Sequence, residues 1–136
     1  MTSTVGIVGA GAAGTAATKA LRASGVDVEL FSRTGEQPSN RTLVNKGVAI
    51  GLLEPHQAAL PDVGVEPTAD TVRSIDPRTR EVRLDSGERR AFDALLIATG
   101  SRPRTLDEEV IGRDQAVSSG RLTTLHSAAD ADRKSV

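Results

Sequence analysis

The sequence predicts an α/β domain of three layers: a parallel β-sheet with a helix on one face and an antiparallel β-meander on the other. Three observations predict it. Two apolar runs, 5–8 and 92–99, each stop at a glycine, as strands buried on both faces do. An Ala-rich segment separates the first run from a second strand ending at Phe31. Between residues 71 and 85, apolar and polar residues alternate with the period of half-buried antiparallel strands.

Taken in order, Val5, Ile7 and Val8 form the first strand, and Ala12 to Ala23 the helix. Lys19 and Arg22 give that helix a wet side, and Ser24-Gly25 ends it with the glycine expected just past a C-terminus. Val26, Val28, Leu30 and Phe31 make the second strand, closing a βαβ unit within about 30 residues. Residues 34–42 are a turn-rich loop, and Leu43 to Leu53 is expected to be a short helix despite Gly47 and Gly51. Pro55, Pro61 and Pro67 punctuate an irregular stretch that contains His56, which is expected on the surface. Thr71–Ile75 and Glu81–Asp85, the latter with Val82 and Leu84 inward, form the meander around a turn at Asp76–Thr79. Ser86-Gly87-Glu88 turns the chain again into the last apolar strand, Phe92–Thr99. Beyond Ser101 the sequence is polar, with one weak helical or extended piece near Val117–Leu125.

Composition removes several classes of function. Lys and Arg number 17 against 18 Asp and Glu, a balance without the basic face that nucleic acid requires. There is no cysteine, so disulfides, thiolate metal sites and dithiol redox chemistry are excluded within the chain. Two histidines, without an HExxH or paired carboxylates, leave a metal site without support. No apolar run approaches the roughly 20 residues of a membrane span, and no basic leader precedes the first strand, so the expectation is a cytoplasmic protein.

The chemistry-bearing motif is Gly9-Ala10-Gly11-Ala12-Ala13-Gly14, a GxGxxG placed between a strand and a helix. Gly9 permits the tight turn, Gly11 lets the main chain approach a pyrophosphate, and Gly14 lets the helix pack against the sheet. The N–H groups at Ala12 and Ala13 and the helix dipole favour an anion. A purely structural glycine turn is the alternative. Such sites normally end the second strand in an acidic residue that binds a ribose hydroxyl. Here that end reads Leu30-Phe31-Ser32-Arg33, and Glu29 lies three residues early, on a side of the strand that need not face a ligand. Ser32 can hydrogen-bond, and Arg33 suits a 2′-phosphate, so this unit alone leaves NADP and FAD both open.

Later segments separate them. Arg90 to Arg104, RAFDALLIATGSRPR, resembles a signature of the two-dinucleotide-domain flavoprotein reductases, in which a meander leads to an Ala-Thr-Gly strand end beside FAD. Asn40 to Leu53, NRTLVNKGVAIGLL, resembles their Leu-Ser-Lys run next to the flavin, with Asn45 in place of Ser. The combination is most similar to the ferredoxin- and rubredoxin-reductase branch and covers essentially the whole chain. The resemblance implies a Rossmann-like FAD-binding domain and electron transfer from NAD(P)H through FAD to a ferredoxin-like or small acceptor. It places Lys46 at the flavin ring, Val72, Ala98, Thr99 and Gly100 at FAD contacts, and His126 where a Leu-Arg-Thr run brings Arg to the FAD phosphates. The acid missing at Ser32 and the Arg missing at His126 remove two polar anchors of about 1.5–3 kcal/mol each, which lowers the expected FAD affinity about ten- to a thousandfold or more. The resemblance assigns no acid or base in this chain as catalytic.

In that family an NAD(P)H domain is inserted next, and a late Gly-Asp strand then completes the FAD sheet. Neither is visible here, so residues 1–105 are expected to form a partial FAD domain, incomplete at its C-terminal side. Residues 106–136 then form a polar tail or the approach to a missing domain. The open sheet suits completion by another chain or self-association into a homo-oligomer. A nucleotide-binding module without turnover and an interaction fragment are the rival readings.

Overall fold

A computed structural model describes residues 3–35 and 38–132. Its first elements are β1 (Thr4–Val8), α1 (Ala12–Ala23) and β2 (Asp27–Phe31), followed after a long connection by a hairpin of β3 (Val72–Asp76) and β4 (Glu81–Leu84). The short strand β5 (Arg89–Ala91) extends that hairpin, and β6 (Ala94–Ile97) returns to the first sheet. β1 lies between β2 and β6 and runs parallel to both, with Ile7 opposite Leu30 on one side and Leu96 on the other. The second sheet is antiparallel, in the order β3-β4-β5.

Alternation along the parallel strands divides them between two cores. Ile7 and Leu30 point to α1 and are buried with Ala17, Leu21 and Val28. The next positions point the other way, where Phe31, Val8 and Leu95 pack with Val82, Leu84 and Phe92. The two aromatic rings meet edge-on at 5.9 Å. Gly6 makes that contact possible, because a Cβ there would stand 2.8 Å from the Phe92 ring. These layers are the sheet, helix and meander that the sequence implies, and Val82 and Leu84 are inward as expected.

The structure corrects four details. The expected helix over Leu43–Leu53 is two pieces, α2 (Arg41–Lys46) and a 3-10 turn at Val48–Ile50. The break falls at Gly47, where Leu53 packs into the space that a side chain would need. The irregular stretch holds a second 3-10 turn, Pro55–Ala58, entered through reciprocal Glu54 and Gln57 contacts. β5 was not anticipated, since Arg89-Arg90-Ala91 carries no apolar alternation and pairs through its backbone with β4. The piece expected near Val117–Leu125 falls earlier, as α3 (Arg113–Ser118), and a further helix, α4 (Ala128–Asp132), follows.

β6 also departs from expectation. It is not buried on both faces: Leu96 is 39% and Ile97 62% exposed, and among the described residues β1 is its one neighbour in the sheet. The opposite edge differs. Beside β2, Thr68 forms a parallel bridge to Phe31, and Thr68 N–H donates to the Leu30 carbonyl at 2.7 Å.

The chain divides into two compact units, one of Met1–Pro38 with Leu60–Gly100 and one of Ser39–Ala59 with Ser101–Val136. The segment expected within the first domain, 39–59, thus groups with the polar tail. In the second unit Val44, Val48, Ala58 and Ala131 form a small core with Leu53 and Leu125. Asn40 starts α2 by accepting the N–H groups of Thr42 and Leu43 at 3.0 and 3.3 Å. Ser127 and Asp130 cap α4 reciprocally, the Ser127 N–H donating to Asp130 Oδ2 at 2.9 Å and the Asp130 N–H to Ser127 Oγ at 3.1 Å.

Candidate functional site

The turn between β1 and α1 is shaped by what its glycines lack. Gly9 adopts φ +111°, which a side chain would strain, and donates its N–H to the Phe31 carbonyl at 2.9 Å. A Cβ on Gly9 would overlap the Ala98 carbonyl. A Cβ on Gly14 would overlap the Gly9 carbonyl, so the first turn of α1 sits directly on the loop. Gly11 is the contrast: its Cβ position meets nothing within 4 Å. Two glycines therefore serve close packing, and the middle one faces open space.

That open space lies at the N-terminus of a twelve-residue helix. The first helical bond runs from Thr15 N–H to the Gly11 carbonyl at 2.9 Å, so the N–H groups of Ala12, Ala13 and Gly14 precede it. Gly11 supplies no side-chain cap, and the first turn contains no acid to compete for those donors. The buried hydroxyls of Thr15 and Thr18 brace the loop, donating to the carbonyls of Ala10 and Gly14 at 3.2 and 2.8 Å. Uncapped donors, the positive end of a helix dipole and free space make a cradle for a phosphate-bearing ligand.

The strand end named with FAD lies against the same loop. Ala98 N–H donates to the Val8 carbonyl at 2.8 Å, and Thr99 Cα would be 3.0 Å from a Cβ on Gly9. Gly100 turns the chain away with φ +71°. Ser32, at the end of β2, is 8% exposed, and its N–H donates to the Thr68 carbonyl at 2.9 Å. Arg33 is exposed. Glu29 points to the meander face. Its carboxylate accepts from Thr68 Oγ1 at 3.2 Å and stands 3.7 Å from Arg90 Nε. Val72 is half-buried in the core beneath the meander, paired with Leu84. The glycine loop, Ser32, Arg33, Val72 and Ala98–Gly100 thus all belong to the first unit.

Lys46 and His126 belong to the second. Lys46 is exposed in the last turn of α2, and Asn45 beside it is also exposed. His126 is half-buried, and its Nε2 faces the Arg41 guanidinium, which also donates to the His126 carbonyl at 3.0 Å. The permanent positive charge at this place is carried by Arg41. The sequence reading missed Arg41, whose partner lies 85 residues away.

His56 is exposed in the Pro55–Ala58 turn. Among the described residues there is no cluster of His, Asp or Glu able to hold a metal ion, and no helix long and apolar enough to cross a membrane. A cavity of about 370 Å³ lies between the β3–β4 turn and β6, lined by Ile75, Asp76, Arg80, Phe92 and Ile97 among others. It includes none of the glycine-loop residues.

Known proteins share this arrangement. The chain is 32% identical over 139 residues to the biphenyl dioxygenase system ferredoxin–NAD(+) reductase component of Paraburkholderia xenovorans (strain LB400), covering 96% of this chain and 32% of that protein. It is 37% identical over 114 residues to the chlorobenzene dioxygenase ferredoxin reductase component of Cupriavidus sp. (strain PS12), covering 78% of this chain and 28% of the relative. Among solved structures, a covalent putidaredoxin reductase–putidaredoxin complex matches 97% of the chain and 34% of its own with a TM-score of 0.75 and 27% identity. The chain thus spans about a third of the length of these relatives. The profile of one family matches residues 3–135, from the first strand through the glycine loop to the last helix. With that match over nearly its whole length, the chain belongs to the pyridine nucleotide-disulphide oxidoreductase family.

Proposed function

We propose that this chain is the FAD-holding part of an NAD(P)H-dependent flavoprotein oxidoreductase that passes electrons to a ferredoxin-type or small acceptor. One observation carries the reading: Gly9 and Gly14 are packed against the Ala98–Thr99 strand end and the loop backbone, while Gly11 opens onto uncapped helix N–H groups. A bound flavin would accept hydride from the nicotinamide and release electrons singly, chemistry that belongs to the cofactor. The chain's own residues bind and orient. The N–H groups of Ala12, Ala13 and Gly14 take the pyrophosphate, Ser32 and Arg33 meet the adenosine ribose, and Ala98, Thr99, Gly100 and Val72 line the remainder. Lys46 is proposed at the flavin ring, where a cation favours the reduced, anionic form. His126, with Arg41 supplying the charge beside it, is proposed at the phosphates. The names of the relatives support a ferredoxin-type acceptor, and the NAD(P)H site is proposed to lie outside these residues.

The test is a titration of the purified chain with FAD, followed by flavin absorbance and fluorescence. Saturable binding with a dissociation constant below ~100 µM, weakened by Gly11→Val, supports the reading. A colourless protein that takes up no FAD at that concentration sinks it. The open β6 edge favours a second reading, an interaction fragment completed by another chain or by a second copy. Sedimentation then shows an assembly that Ile97→Lys disperses, with no response to FAD.

A further inference from the structure

We infer that the ribose end of the glycine-loop site recognises a 2′-phosphate, so that NADP competes with FAD for it. The inference rests on the proposal that the loop holds an adenine dinucleotide. A dinucleotide with its pyrophosphate on the α1 N-terminus directs its adenosine ribose to the end of β2. The hydrogen bond from Gly9 N–H to the Phe31 carbonyl ties that strand end to the loop.

An acid at this place would bind the free 2′- and 3′-hydroxyls and repel a phosphate. None stands there. Glu29 is turned to Thr68 and Arg90 on the other face of the strand. Asp70, two residues past the Thr68 that pairs with Ser32, is held by the Ser86 hydroxyl and by Thr71 N–H at 2.6 Å. What the strand end offers is a donor set. Ser32 is more than nine-tenths buried, and its hydroxyl has no hydrogen-bond partner among the described residues. Arg33 is exposed and has no ion-pair partner among them. A guanidinium fork and a hydroxyl match the oxygens of a phosphate monoester.

The experiment titrates the full chain in two arms. In the first, NADP+ and NAD+ displace bound FAD. In the second, 2′,5′-ADP and 3′,5′-ADP, equal in charge and different in phosphate position, are compared by thermal shift without FAD. NADP+ is expected to bind about ten- to a hundredfold more tightly than NAD+, with 2′,5′-ADP preferred over its isomer. Arg33→Ala brings both ratios near one, and Arg33→Lys restores part of each. Equal binding of the paired ligands, or a preference that survives Arg33→Ala, overturns the inference. If FAD binds and the ratios are flat, only the inference falls. If FAD does not bind while 2′,5′-ADP still discriminates, only the flavin assignment falls.

Discussion

Ile7, Leu30, Phe31, Val82 and Leu84 are almost wholly enclosed in the first unit, whereas the second closes around the smaller Val44, Val48, Ala58 and Ala131, with Leu53 and Leu125 packed against them. In the second unit Ile50 is 63% and Leu52 73% exposed, and Ile111 is fully so. The first is built of strands and a twelve-residue helix that share two cores; the second is built of pieces of three to six residues. Helices that short do not persist on propensity alone and depend on caps and a few apolar contacts. The difference teaches where the nucleotide chemistry is secured. The cradle at Gly11 is defined by backbone packing inside the better-filled unit, while Lys46 and His126 are carried by the less filled one.

Core truncation gives the largest expected contrast. Phe31→Ala removes a ring that touches both the meander cluster and Phe92, and is expected to cost about 3–5 kcal/mol. Val44→Ala removes two methyl groups from the small cluster, about 1–2 kcal/mol. Denaturant unfolding followed by circular dichroism measures both. Equal losses would mean that the two clusters are equally well filled and would end the comparison.

The glycines sharpen it within the first unit. Gly14→Ala forces a methyl group into the Gly9 carbonyl and is expected to destabilise by about 1–3 kcal/mol and to abolish nucleotide binding. Gly11→Ala enters open space, so stability should stay within about 0.5 kcal/mol while FAD affinity falls about tenfold. A Gly14→Ala protein that unfolds at the wild-type midpoint would show that the loop and helix are not in the contact described.

Much of the first unit was legible because its signals are local. A strand stopped by glycine, an Ala-rich helix and a second strand follow one another within 31 residues, and the alternation around Val82 and Leu84 reports its own buried face. That Glu29 need not face a ligand was likewise readable from strand parity, and the structure turns it to Thr68 and Arg90. What escaped depends on distant or backbone partners. β5 has no side-chain pattern because the backbone of β4 recruits it. The break at Gly47 depends on where Leu53 comes to rest. α4 is marked by Ser127 and Asp130 at capping spacing, but it spans only five residues, Ala128–Asp132, too few for a periodic signal. The pairing of Arg41 with His126 could not be read at all, since nothing along the chain links residues so far apart.

Caps should matter more in the second unit than their size suggests. Asn40→Ala removes the acceptor for two N–H groups at the start of α2 and is expected to cost about 0.5–2 kcal/mol. Hydrogen exchange should show the loss at the amides of α2 and the Val48–Ile50 turn, with β1 and β2 unchanged. Uniform loss of protection across both units would mean that they unfold as one.

The smallest expected effect is an acid-range change at Asp70. The Ser86 hydroxyl, opposed by a partial loss of solvation and assisted by Thr71 N–H, holds its carboxyl below the usual carboxylate range. A carboxyl that loses its proton more easily in the folded chain than in the unfolded one stabilises the fold when ionised. That contribution is complete above the unfolded value of about 3.9 and is lost as the pH falls through the lower folded value. The melting temperature of the wild type should therefore exceed that of Asp70→Asn by a constant margin from about pH 5 upward, and the margin should narrow below about pH 4. Ser86→Ala should shrink the margin at neutral pH and flatten its acid dependence. A margin that instead grows on acidification would mean that the hydroxyl of Ser86 does not favour the charged form, and Asp70 would then be held by its backbone contacts alone.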